Sequence, residues 1–514
     1  MQYKNTVLTN TTIASFMAFL DSNIVVISLP TIIRTLPGTT AFDGLWLVMG
    51  YSIVSATFLL ALGRLADIVG RVKLYNSGFA LFTVASGLCS LAPNGETLVI
   101  FRMIQGLGGA LIFANNNAII TDAFPPTERG RAIGINQVTG IAGSVIALVL
   151  GGILTSTLGW RSIFWINLAP GAFATVWAYK RLHEVEKPKS RERIDKLGNL
   201  LFGPGLALFL YGSTFGALTG WSALDIAFVV GGFLMILGFV KAETASDHPM
   251  MDLSLFRIRA FAAGAFSNLL SAVARGGLSL VLVIYFQGAL LLNAFQSGVD
   301  LIPFSLAFVS AGPLSGALSD RMGQKPFIVA GLATGTVALL IFAFIPLSAP
   351  YYLLVIPMVL AGLGGGMFAA PNVASIMNSV PPLRRGISSG MSSLLFNVGA
   401  LLSLSMSFII MATSISRPVL EAIFAGLPVA GGLNLQLYSG AMHRVFGAMA
   451  LVNGVALVPT FIRETKAQRK TEVVHSNPMA DGHAPVDYTD PSKDGRTRAK
   501  SAPRIRLARY SGDN

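Results

Sequence analysis

The stretch Gly63-Arg64-Leu65-Ala66-Asp67-Ile68-Val69-Gly70-Arg71 returns, 253 residues later, as Gly316-Ala317-Leu318-Ser319-Asp320-Arg321-Met322-Gly323-Gln324-Lys325. Both read G-x-L-x-D-x-x-G with basic residues close behind, and each follows an apolar run long enough to cross a bilayer. The glycines of such a loop permit a tight turn, and the aspartate either caps a helix N-terminus or pairs with its basic neighbours. Two readings follow: an ordinary turn, or a latch built from Gly63, Asp67, Gly70 and Arg71 and from Gly316, Asp320, Arg321 and Gly323. A latch of this kind could hold two halves of the chain together in one state and release them in another. Two repeated halves with a binding site between them near the bilayer midplane are a known design for membrane carriers.

Working outward from these loops, apolar stretches recur near 9–32, 44–63, 74–93, 98–121, 132–154, 162–179, 197–219 and 223–240. They continue near 260–286, 297–318, 327–346, 353–377, 387–411 and 442–462, fourteen in all. Fourteen spans of about 20 residues use about 280 residues, over half of the 514. The composition agrees, with 53% hydrophobic and 12% charged residues and a mean hydropathy of +0.65. Soluble domains carry about 25% charged residues, so a soluble enzyme and a mostly disordered chain are both excluded. The single Cys89 excludes a disulfide framework or a cysteine-based metal site. The first run is too long for a removable signal and lacks a small-residue cleavage site, so it reads as a true span.

The formal charge of +13 records topology. With a cytoplasmic N-terminus, 31 of the 37 Lys and Arg fall on the cytoplasmic side, and only Arg34, Arg161 and Arg417 occupy outside loops. That bias predicts a multi-pass protein of the cell membrane with both termini inside, and it removes the argument for a nucleic-acid partner. The expected organisation is a six-helix bundle over 1–179, a cytoplasmic loop over 180–196, two extra spans over 197–240 and a loop over 241–259. A second six-helix bundle over 260–462 and a disordered cytoplasmic tail over 463–514 complete it. The basic end of the tail, Arg496 to Arg509, either rests on anionic lipid or is simply solvated.

In these motifs the chain resembles the major facilitator superfamily, specifically its fourteen-spanner drug:proton antiporter branch. The two G-x-L-x-D-x-x-G loops look like the signature between helices 2 and 3 and its echo in the second half. Leu98-xxx-Arg102-xx-Gln105-Gly106-x-Gly108-Gly109-Ala110 looks like the helix 4 motif with its arginine. Leu20-Asp21-Ser22-Asn23-Ile24 through Leu29-Pro30 resembles the branch's helix 1 signature, as do Trp160–Asn167 and His248-Pro249-Met250-Met251-Asp252 before helix 9. The resemblance covers about residues 9–465. It implies two six-helix bundles with two additional central helices, an all-α membrane fold without catalytic residues, and proton-coupled efflux of small amphipathic or cationic compounds. Transport of another metabolite or an organic anion, and a non-transporting sensor, are the rival readings. Two departures stand out. Helix 5 keeps Gly134, Gly143, Gly151 and Gly152 but has Ala147-Leu148 where the antiporter signature has Gly-Pro, and Ile68 replaces the usual arginine of the first loop.

Ionisable groups inside a membrane are costly and functional by default. Asp21 is the only carboxylate near the middle of a span, roughly 20 Å into helix 1 at 1.5 Å per residue. It is read as a proton carrier, a counter-ion to a cationic substrate, or a structural group. Arg102 of helix 4 could pair with it, and Asp300 is a weaker second carboxylate at an outer helix end. Arg275 would favour an anionic substrate group, or else pair across helices or snorkel. Asn116, Gln137 and Asn397 are cavity candidates, and Gly143, Gly151 and Gly152 are expected to let helix 5 pack closely. Trp46, Trp160 and Trp221 suit an interfacial aromatic belt. The partners expected are the lipid bilayer, protons and a small-molecule substrate, with the chain a monomer. No metal ligand cluster, phosphate loop or nucleophile–base pair is present in the sequence pattern, so neither cofactor nor metal is expected.

Overall fold

The computed structural model describes residues 3–185, 195–246, 251–346, 349–381, 384–429 and 434–461. His248, Pro249 and Met250 of the loop motif, the centre of the 180–196 loop, and the 463–514 tail lie outside the described residues. Among those residues every regular element is helical. The spans are α1 (Tyr3–Thr35), α2 (Ala41–Val69), α3 (Arg71–Ser90), α4 (Gly95–Ala123), α5 (Pro126–Thr157), α6 (Leu168–Arg181) and α7 (Lys196–Thr219). After them come α8 (Ala223–Ala245), α9 (Arg259–Arg275), α10 (Ile302–Met322), α11 (Gln324–Phe344), α12 (Tyr351–Asn378), α13 (Arg385–Ser414) and α14 (Asn434–Val455). Twelve helices among the described residues are long and apolar enough to cross a membrane, and α3 and α6 occupy the two remaining expected spans. The fold is a pair of six-helix bundles with two further helices, α7 and α8, between them in sequence.

Local chemistry sets the helix ends. Thr40 with Asp43 and Ser222 with Asp225 form capping boxes at the starts of α2 and α8, and Asn94 caps α4. Asp43 and Asp225 are thereby spent on caps. The repeated loops are one-residue joints: Gly70 between α2 and α3 has φ +119°, and Gly323 between α10 and α11 has φ +90°. Only glycine takes such angles without cost, which explains why the motif carries it twice.

The halves also share their packing. A Cβ at Gly108 of α4 would lie 2.6 Å from Phe82 N and 3.0 Å from Gly78 O of α3. At Gly364 of α12 it would lie 2.6 Å from Gly335 N and 2.7 Å from Gly331 O of α11. Backbones meet there directly, as close-packed membrane helices require. Helix α7 packs on α8 and touches both α2 and α13. Helix α8 exposes Leu224, Ile226, Val230, Phe233, Leu234 and Leu237, a surface suited to lipid.

Four spans differ from the continuous helices expected; span 14 stops at Val455 and ends in a separate turn, Val458–Phe461. The span 9 helix stops at Arg275, restarts as Leu278–Ile284 after Gly276-Gly277, and finishes in a π-turn, Tyr285–Ala289. Span 6 is preceded by a separate turn, Ser162–Trp165, and span 10 by Ala294–Asp300. A short helix, Arg417–Phe424, lies between spans 13 and 14 in place of a plain loop. Its Glu421 carboxylate accepts from Ala41 N of α2 at 2.6 Å. Near the same face, Gln287 donates to Ile27 O of α1 at 2.7 Å, so the halves meet through direct polar contacts on the side opposite the N-terminus. The belt reading fails for two tryptophans: Trp46 is buried against Phe42 and Tyr211, and Trp160 is buried beside Phe164. Trp221 is exposed.

Candidate functional site

Asp21 and Arg102 meet. The Arg102 guanidinium donates through Nη1 to Asp21 Oδ2 at 2.6 Å, and both side chains are sealed, with 1% and 0% of their surface exposed. The other carboxylate oxygen, Oδ1, accepts from Gln105 Nε2 at 2.9 Å and from Asn167 Nδ2 at 2.7 Å. Asn167 reaches it because the backbone breaks just before α6, leaving this amide at the helix start instead of on a helix face. Arg102 also donates to Gln105 Oε1 at 2.7 Å and to Leu47 O of α2 at 3.3 Å, and lies 4.5 Å from the Tyr51 ring centroid. The cluster ties α1, α2, α4 and the start of α6 through one carboxylate. A buried ion pair holds its place only when the remaining lone pairs and protons are satisfied, and the two amides do that.

Around it, Ser86 accepts from Asn167 at 3.3 Å and donates to Phe164 O at 3.1 Å. The buried thiol of Cys89 points at Gln105 Oε1, 3.7 Å away. A second polar knot joins α1, α4 and α5: Asn116 donates to Ser15 Oγ at 2.8 Å and to Asn136 Oδ1 at 3.0 Å, and Ser15 donates to the same Asn136 oxygen at 2.7 Å. Asn116 is therefore buried between helices and does not line open space. Of its neighbours, Asn115 turns back to Leu111 O and Asn117 is exposed. Gln137 is exposed on α5 and Asn397 half-buried on α13.

The first glycine loop forms a latch within one half. Arg71 donates from Nε to Asp67 Oδ1 at 2.8 Å and from Nη1 to Asp122 Oδ1 and Oδ2 at 2.7 and 2.9 Å. Asp122 ends α4, so these contacts lock α2, α3 and α4 together. The expectation that this loop clamps one half to the other is not met by these pairs; Asp122, absent from the motif, takes the arginine. Gly70 leaves room for Glu184. In the second copy, Asp320 and Arg321 are exposed and Gly316 faces Ala370 of α12.

The helix 5 glycines lie against neighbours: Gly143 against Phe16 O of α1, Gly151 against Ile24 and Ile27, and Gly152 against Ala294 O. Gly134 has open space around it, and α5 runs unbroken past Ala147-Leu148. Asp300 is half-buried, its backbone oxygen accepting from Tyr351 OH at 3.0 Å, and among the described residues no hydrogen bond or ion pair joins it to the Asp21 cluster. Arg275 forms no ion pair among the described residues; its Nε donates to Ser271 Oγ at 3.1 Å. No group of three or more metal-ligating side chains occurs among the described residues.

The comparisons place the chain in a family. The profile of the Major Facilitator Superfamily matches residues 11–266 and 264–487. The multidrug resistance protein Stp of Mycobacterium tuberculosis (strain ATCC 25618 / H37Rv) is 34% identical over 383 residues, 74% of this chain and 70% of that protein. The riboflavin transporter RibZ of Clostridioides difficile (strain 630) is 31% identical over 386 residues, covering 75% and 83%. The methylenomycin A resistance protein of Bacillus subtilis (strain 168) is 29% identical over 446 residues, covering 86% and 93%. In fold, the chain is similar to a bacterial homologue of the human lysosomal transporter Spinster in an inward-facing, unoccupied conformation. The TM-score is 0.63 at 18% identity, over 90% of this chain and 99% of that one. It is a multi-pass membrane transport protein, and the resemblance carried by its motifs holds: the chain belongs to the Major Facilitator Superfamily, in the branch of its multidrug-resistance relatives.

Proposed function

We propose that this chain is a proton-coupled exporter of small amphipathic compounds, working by alternating access, with Asp21 as the proton site. The observation that carries the reading is the sealed Asp21–Arg102 pair. A proton on Asp21 cancels the charge that holds Arg102, and Gln105 Oε1, Leu47 O and the Tyr51 ring remain to receive the guanidinium. Proton arrival thus loosens the junction of α1, α2, α4 and α6, which is the kind of local charge change that biases a two-state carrier. Three donors already occupy the carboxylate and its side chain is sealed, which argues against service as the counter-ion of a cationic drug. The names of the resistance relatives support export, and the name of the riboflavin relative keeps the substrate open. The Lys/Arg bias supports a cell-membrane location with cytoplasmic termini, and a monomer suffices because the cluster is complete within one chain.

The test is flux in proteoliposomes. With the substrate identified by growth protection across a panel of toxic cations, acids and neutral compounds, an imposed pH gradient is expected to drive its accumulation against its own gradient. Flux indifferent to the imposed gradient would remove antiport, and binding without flux would favour the sensor.

A further inference from the structure

The register of the repeat gives Arg275 a meaning of its own. The loops repeat at 253 residues, as do Gly78 with Gly331 and Tyr51 with Phe304, whose backbone oxygens meet Gly106 and Gly362. The α4 glycines repeat at 256 as the α12 glycines. Asp21 therefore corresponds to position 274, one residue from Arg275, and Arg102 to Met358. The second half thus carries, near the place where the first half has its balanced pair, a cation beside the counterpart of the acid and an apolar side chain in place of the base.

The surroundings of Arg275 match that assignment. Gly109 makes room for the Tyr51 hydroxyl in the first half, and its counterpart Gly365 makes room for Arg275 Nη1 in the second. The guanidinium lies 5.8 Å from the Phe368 ring centroid, and Phe308 flanks Gly365. Among the described residues Arg275 donates to Ser271, one turn back on α9, and forms no ion pair with a carboxylate. The side chain ends α9 at the Gly276-Gly277 break, where span 9 is discontinuous. Broken helices of this kind carry the binding sites of many carriers, and ionisable side chains within membrane spans mark substrate and ion pathways.

Resting on the transport reading above, we infer that Arg275 binds the anionic group of the transported compound, and that the substrates are amphipathic organic anions or zwitterions with an apolar body seated on the half-buried Phe308, while the buried Phe368 ring backs the guanidinium from the core side. A guanidinium presents a planar fork that fits a carboxylate or similar oxyanion in two hydrogen bonds, while aromatic faces accept varied ring systems. The Asp21 cluster then handles the proton and Arg275 the substrate charge, one in each half.

The experiment is equilibrium binding of a matched dye pair, a fluorescent aromatic carboxylate and its methyl ester, to the full chain in lipid nanodiscs. Wild type is expected to bind the carboxylate at least tenfold tighter than the ester. Arg275→Met should remove that preference by weakening the carboxylate alone, and Arg275→Lys should keep part of it. Equal weakening of both dyes by Arg275→Met, a wild type that favours the ester, or a wild type that binds neither dye would overturn the inference. Failure of the transport reading looks different: the carboxylate preference persists in binding while no flux of either dye is seen in proteoliposomes.

Discussion

Asp21→Asn is expected to reduce gradient-driven efflux to background while leaving substrate exchange at equal pH on the two sides measurable. The asparagine keeps the shape of the side chain and one acceptor, so Gln105 and Asn167 can still find it, but it adds an amide donor where Arg102 already donates. It carries no titratable proton, so a cycle that needs one stops, whereas exchange of bound substrate does not. The structural cost is an imperfectly satisfied buried site, about 1–3 kcal/mol, which a melting curve in detergent registers separately. Asp21→Glu keeps the proton and is expected to retain part of the gradient-driven flux. Unchanged efflux in Asp21→Asn would end the role assigned here. Loss of both efflux and exchange, with a collapsed melting temperature, would make Asp21 a structural tie alone.

Gly108→Val is the largest expected loss of stability. The new Cβ would meet Phe82 N and Cα and Gly78 O, which are backbone atoms that no rotamer change can move. Helices α3 and α4 must separate, and overpacking of this kind costs typically about 1–3 kcal/mol or more; backbone-on-backbone contact places this site at the upper end. The expected result is poor yield and aggregation on size-exclusion chromatography. Gly134→Val is the contrasting case, since nothing lies within 4 Å of its missing Cβ, and its melting temperature should be unchanged. Equal behaviour of the two variants would remove the packing argument.

The contrast between these glycines also shows how far the sequence can be read. Both belong to glycine-rich motifs, yet whether a glycine meets a neighbouring backbone depends on how helices are rotated, which no spacing states. Span positions were legible because hydropathy alone sets them, and the 253-residue repeat announced two halves. Asp21 was legible for a related reason: so few charges occur in the spans that it stood out, and Arg102 with it. Gln105 and Asn167 were harder, because neutral amides are common in membrane helices and their use here depends on three elements converging. Both do stand inside quoted motifs, and that was the available signal. The breaks of span 9 were hidden, since Gly276-Gly277 interrupts no apolar run. Asp122 escaped because it lies 51 residues from Arg71 and outside the repeated loop.

Cys89 gives the cluster a chemical clock. It is the only thiol in 514 residues, fully buried, with its sulfur against the amide that shares Asp21 and Arg102. An opening that draws Gln105 away from the pair also loosens the cover over this sulfur, so the rate at which a small membrane-permeant maleimide alkylates the unmodified chain reports such openings. No label need be engineered. Acidification in lipid vesicles, after correction for the thiolate fraction of a free thiol under the same conditions, should quicken that clock in wild type and leave it unmoved in Asp21→Asn.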